Sequence, residues 1–281
     1  YSFLQFLSYK PVHHHTKYPG KEYLMYRLRS LIIFSLLCIF SLPTSAQPTS
    51  ASQQKIIQAM ASDIRSTEDK ARDIYRKPDQ VLEFLGLEDD MRVIEILPFG
   101  GWYSKILGPV LRDNGQFYTT QPELGSYSDA LDPTLALPGM DRVIKLDYNV
   151  REKNTPRELF IGTGGDWDVE PVDMVLTFQN YHNLNYDDRM ALNKTVFKAL
   201  KPGGTYGIVD HTRRHNQPGA RFNGRRVDPV MVIKEVQESG FIFKDYSDLL
   251  AMPNDELTLE VGQAEVSGKS DRVTLLFRKP D

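Results

Sequence analysis

The chain has 281 residues, 34 of them Lys or Arg and 37 Asp or Glu, with a single cysteine. One cysteine excludes a disulfide framework and a cysteine-built zinc site. The formal net charge is −3 and falls to −7 once residues 1–46, with five basic residues and one acidic, are set aside, which argues against a protein that holds nucleic acid by its phosphates.

No methionine precedes Met25. From there Arg27 and Arg29, an apolar run over 31–40 and the small residues Thr44 and Ala46 follow the order of a secretory signal peptide cut after Ala46. The run is too short to span a bilayer comfortably as an uncut anchor. Residues 1–24, with His13, His14 and His15, are expected to be upstream translation and residues 25–46 the signal peptide. The mature chain is then an exported, periplasmic or secreted protein that makes no stable membrane insertion and holds no cysteine, since Cys38 lies in the leader. About 235 residues remain, suited to one α/β domain over 91–281 behind a helical lead-in over 47–90.

After a polar linker, residues 55–76 read as one helix, with Ile56, Ile57, Met60 and Ile64 on one side and a charged stretch after them. Pro78 opens a second, short helix closed by Gly86, and both helices could cover a ligand. Residues 92–104, RVIEILPFGGWYS, predict a strand, a tight turn and the N-terminus of a helix carrying Trp102, Ile106, Leu107, Val110 and Leu111 on one face. Further strands are expected at 115–120, 142–146, 172–178, 205–209, 241–246 and 272–277, with helices after Asp187 and after Asp228-Pro229. Residues 121–140 give no firm helix and read as surface loop, and 149–171 as irregular. No helix lies between the last two strands, so they should pair antiparallel. The sum is a Rossmann-like, doubly wound seven-stranded sheet with a terminal antiparallel hairpin.

In such sheets ligands bind at the carboxyl ends of the strands. Gly100 and Gly101 fit a turn that admits a ligand, and Glu95, an acid in a strand that should be buried, needs donors from a ligand or a loop. His182 follows the strand at 172–178, and His211 and His215 follow the strand at 205–209, all on the edge where Phe99 lies. His182 and His211 are candidate proton acceptors, Asp210 a proton acceptor or an orienting group for His211, and Asn180 and Tyr181 share the loop with His182. Gly203 and Gly204 read as a turn at the opposite edge.

The ordered set, from Glu95 and Gly101 through Asp173, LKPGG at 200–204 and two closing strands, resembles the class I S-adenosylmethionine-dependent methyltransferases. EILPFGGWYSKIL, TFQNYHNL, LKPGGTYGIVDH, ESGF, SDLL and DRVTLLFRKP resemble more narrowly an exported group of predicted methyltransferases, over most of residues 55–281. The resemblance implies S-adenosylmethionine as cofactor, with Glu95, Phe99, Gly100 and Gly101 around its methionine part and Gln121 to Glu123 at the ribose. It also implies Asp166 and Trp167 near the adenine, and Gln179, Asn180, Tyr181 and His182 beside the sulfonium. His182 or His211 would take the proton of a small acceptor, and Tyr181 would orient that acceptor. Three positions depart from the pattern: Leu97 and Phe99 stand where the first two glycines belong, and Gln121 stands where the ribose-binding acid belongs. Two other readings stay open: a non-catalytic ligand-binding protein on this fold, and a metal-dependent hydrolase using His182, His211, His215 and Asp210.

Overall fold

The alternation of side chains along Arg92–Ile96 sorts the apolar residues of this protein into two cores. Ile94 and Ile96 join Tyr181, Leu192, Val196, Val232 and Phe277 on one face of the sheet, and Val93 joins Ile56, Leu82, Ile106, Leu107 and Met174 on the other. Glu95 shares the face of Val93, so a carboxyl group is folded in among apolar neighbours.

The computed structural model describes residues 50–124, 128–155, 158–162, 166–220 and 223–281. Residues 1–24 and 25–46, read from the sequence as upstream translation and a signal peptide, lie outside them. In chain order the elements are α1 (Ala51–Ala61), α2 (Thr67–Ala71), α3 (Asp73–Arg76), α4 (Pro78–Leu85), β1 (Arg92–Ile96), α5 (Ser104–Leu111), β2 (Gln116–Leu124) and α6 (Asp132–Leu135). They continue as β3 (Ile144–Thr155), β4 (Glu158–Gly162), β5 (Val172–Phe178), α7 (Tyr186–Ala199), β6 (Leu200–His211), α8 (Pro229–Glu238), β7 (Ile242–Ser247) and β8 (Arg272–Arg278). The sheet order is β4-β3-β2-β1-β5-β6-β8-β7. β1 pairs in parallel with β2 on one side and with β5 on the other, so the chain winds outward in both directions from β1 and β5. The crevice at their carboxyl ends is the topological switch point, where such sheets take ligands. β8 lies antiparallel between β6 and β7, the closing hairpin expected from the sequence.

The seven expected strands are all present, and an eighth, β4, pairs antiparallel with β3 at the sheet edge. The sequence concealed this hairpin because Asn149 to Thr155, the second half of β3, is mostly polar and charged and shows no apolar alternation. The lead-in also differs from the single helix over 55–76. α1 stops at Ala61, and Ser66 starts α2 with a capping box, its side chain taking the Asp69 backbone N–H while the Asp69 carboxylate takes that of Ser66. Serine and aspartate compete for backbone groups in this way and break a helix that the periodicity alone would continue. α4 begins at Pro78 and ends on Gly86 at φ 79°. The LKPGG segment belongs to the start of β6, where Gly203 turns at φ 73° beside Lys279, at the sheet end remote from the crevice.

Candidate functional site

Three alternate residues of the turn after β1 are left-handed: Leu97 at φ 49°, Phe99 at φ 48° and Gly101 at φ 73°. A non-glycine residue there costs about 1–3 kcal/mol, so the surroundings must hold the turn. Thr120 Oγ1 accepts from Leu97 N at 3.1 Å, and Asn180 Nδ2 donates to Leu97 O at 2.8 Å and Phe178 O at 3.0 Å. Asn180 is thus a buried strut of the turn. Thr134 Oγ1 donates to Gly100 O at 2.9 Å, and a Cβ on Gly101 would come within 2.7 Å of Leu131 and Thr134. Residues 128–140, expected to be a surface loop without a role, therefore pack against this turn, and Leu131 and Met140 are buried.

The turn floors a cleft of about 420 Å³ whose lining includes Glu95, Phe99, Trp102, Tyr103, Gln179 and Arg76. Glu95 is 2% exposed and accepts a hydrogen bond from Ser104 Oγ at 2.6 Å. Burial drives its carboxyl up to about 8, against the pull of the Ser104 bond and of Arg76. Arg76, at the end of α3, donates from Nη2 to Gln179 Oε1 at 2.8 Å and lies 4.5 Å from the Trp102 ring centre. Burial and the neighbouring Arg72 bring its guanidinium down to about 9. Tyr103 stacks on Phe178 with centroids 3.6 Å apart, and burial raises its phenol to about 12. Trp102 Nε1 donates to Asp69 O at 3.1 Å, so the helix N-terminus and the lead-in brace each other. Phe99 is half-buried and lines the cleft without filling it.

A second group of residues meets at the ends of β5 and β6. Asp210 is fully buried, and its carboxylate accepts from His182 Nδ1 at 2.6 Å, His182 N at 2.9 Å and His211 N at 2.7 Å. A carboxylate with no proton can only accept, so His182 carries its proton on Nδ1 and offers Nε2 as a base. His182 borders a separate cavity of about 290 Å³, between the 3₁₀ turn Tyr181–Asn183 and α8. The His211 ring lies 5.6 Å from that of His182 and meets Ser270 Oγ through Nδ1 at 2.7 Å. Burial first, then His182, Arg272, Arg226 and Arg76, holds His211 well below the ordinary range, so it stays neutral.

Several sequence expectations need correction. Asp210 orients the ring of His182, not of His211, whose backbone N–H alone it receives. Tyr181 is 1% exposed and its hydroxyl donates to Glu235 Oε2 at 3.2 Å and accepts from Asn193 Nδ2 at 2.9 Å, so it holds the core and does not face an acceptor. Trp167 packs against Tyr148 at 5.9 Å and Asp166 pairs with Lys198 at 2.7 Å on the surface; neither lines the cleft at Glu95. His215 pairs with Asp228 at 3.0 Å, and among the described residues no group of three or more His, Cys, Asp or Glu is arranged to hold a metal ion. Glu123 lies in β2 where its register with β3 shifts. Gln121, at the same end of β2, is buried, and neither polar atom of its amide has a partner among the described residues. Sequence reasoning passed over Arg72, Arg76 and Tyr103; the sole hint was that the lead-in precedes the ligand turn.

No family model matches the sequence, and no curated protein matches it significantly. Among solved structures, it is similar to a SAM-dependent methyltransferase from Aquifex aeolicus, at 13% identity and a TM-score of 0.51 over 80% of this chain and 97% of that one. The [4+2]-cyclase SpnF is similar at 17% identity and a TM-score of 0.50, over 82% of this chain and 96% of that one. The fold is that of the class I S-adenosylmethionine-dependent methyltransferases.

Proposed function

We propose that this chain is an exported S-adenosylmethionine-dependent methyltransferase acting on a small acceptor. One observation carries the reading: the turn after β1 keeps the left-handed backbone of a glycine-rich cofactor turn at Leu97, Phe99 and Gly101, and beneath it a buried acid faces an open cleft. Its volume of about 420 Å³ falls within the roughly 300–1,000 Å³ range of ligand pockets. The residues present fit the cofactor. Glu95 would pair with the ammonium of the methionine part, Arg76 and Arg72 with its carboxylate, and the partnerless amide of Gln121 with the ribose hydroxyls.

When bound, S-adenosylmethionine supplies an electrophilic methyl group on a sulfonium. The protein's own work is positioning and proton transfer. Asp210 holds the His182 ring, and His182 Nε2 takes the proton of the acceptor hydroxyl. Tyr103 and Phe178 wall the cleft against water, and Arg76 ties the lead-in over it through Gln179. Isothermal titration of S-adenosylmethionine and S-adenosylhomocysteine into the purified chain tests the reading, and absence of binding by either overturns it. Leu97 and Phe99 in place of glycine favour a second reading, a binding protein without turnover, in which both compounds bind and no acceptor is methylated. Export rests on residues 25–46, and intact-mass measurement of the exported protein should give a chain beginning at Gln47.

A further inference from the structure

We propose that the cavity beside His182 is the acceptor site and that it takes a small hydroxylated carboxylic acid, anchored by Arg213. This rests on the methyltransferase reading, since it places the acceptor hydroxyl at His182. The cavity, about 290 Å³, is just below the usual range for ligand pockets, a size for a small ligand, and Leu184, Tyr186, Met231 and Val232 give it an apolar wall. Three arginines border it. Arg189 is committed to Glu235, with Nε and Nη2 each at 2.7 Å from a carboxylate oxygen, and Arg226 is committed to Asp255, with Nη2 at 2.9 and 3.1 Å from its two oxygens. The bordering Asp228 is also satisfied, accepting from Asn216 N at 2.9 Å, His215 Nδ1 at 3.0 Å and Val230 N at 3.1 Å.

Arg213 differs. It has no carboxylate partner among the described residues, and its Nε is buried without a hydrogen bond. A buried donor left unmade is costly, and a guanidinium is shaped to give two parallel bonds to one carboxylate. A bound acid would satisfy that donor and neutralise that charge. The same site also lies next to the cleft at Glu95: Gln179 of the cleft and His182 of the cavity are three residues apart, so their Cα atoms are at most about 11 Å apart.

The test is calorimetric titration of 4-hydroxybenzoate and 3-hydroxybenzoate, each against its neutral amide, into the full chain with and without S-adenosylhomocysteine. The acids should bind at least tenfold more tightly than the amides, and ¹⁵N NMR should show the His182 Nε2 signal shifting on addition of the acid. R213Q should abolish the preference and leave S-adenosylhomocysteine affinity within twofold, and R213K, which keeps the charge, should retain part of it. Equal affinity for acids and amides, a preference that survives in R213Q, or no binding of any of the four overturns the proposal. Failure of S-adenosylhomocysteine to bind the unmodified chain, with the acid preference intact, overturns the methyltransferase reading instead and leaves a carboxylate site.

Discussion

At the scale of single residues, the two ionisable groups that matter most are both buried and are handled in opposite ways. Asp210 is surrounded by three N–H donors, so its charge is satisfied by the protein itself. D210N places an amide among donors and should cost about 1–3 kcal/mol. It should also release the His182 ring into a mixture of tautomers, read by ¹⁵N NMR. H182Q should lower methyl transfer by about 10²–10⁴-fold with cofactor affinity retained, the loss that follows removal of a general base. Among the described residues Glu95 has one hydrogen-bond donor, Ser104, and burial raises its carboxyl from 4.5 to about 8. The folded protein therefore holds a proton that the unfolded chain releases, and stability falls as pH rises from about 4.5 to about 8. Thermal melts across that window should show the fall, and E95Q should flatten it. A cationic ligand reverses the balance, because it favours the ionised carboxylate and drives proton release at pH 7.

At the scale of elements, the turn after β1 is held by neighbours more than by its own sequence. Gly101 is required twice over, by its φ of 73° and by contact with Leu131 and Thr134. G101A should destabilise the fold by more than about 1 kcal/mol and weaken cofactor binding at least tenfold, measured by denaturant titration and calorimetry. The capping box of α2 belongs to the same site, because Asp69 offers its backbone carbonyl to Trp102 and its carboxylate to Lys105 at 2.7 Å. S66A should cost about 0.5–2 kcal/mol and loosen this part of the roof. The strands β1, β2, β5, β6, β7 and β8 were legible because each is a block of β-branched or aromatic residues between turn signals. The first half of β3 was legible for the same reason. The β3–β4 hairpin was not, because residues 149–155 are mostly polar and charged and leave no apolar period to read. The break at Ser62 to Ser66 was written in the sequence as a serine three residues before an acid, a signal masked by the apolar spacing on either side.

At the scale of the whole molecule, the lead-in and the sheet share one core, with Ile56 and Ala59 packed beside Val93 and Ile106. Arg76 to Gln179, Lys77 to Leu249 O and Arg272 to Tyr75 O tie the lead-in to the segments after β5 and β7 and to the start of β8. Ligand in the cleft should therefore slow hydrogen exchange across residues 62–77, where the roof lies, and leave β7 at the far edge unchanged. Among the described residues no helix is long and apolar enough to cross a membrane. The sequence by itself determined seven of the eight strands, the turn beside Glu95 and the strand ends that His182 and His211 follow, since each depends on residues close together in the chain. Only the tertiary structure decided that Asp210 serves His182, that Tyr181 faces the core, and that Arg76 roofs one cleft while Arg213, with no carboxylate partner among the described residues, borders another cavity. Asp210 and His182 are 28 residues apart and meet because β5 and β6 align in register, Phe178 beside Val209. Such a pairing is set by how strands stack, and a local pattern carries no record of it.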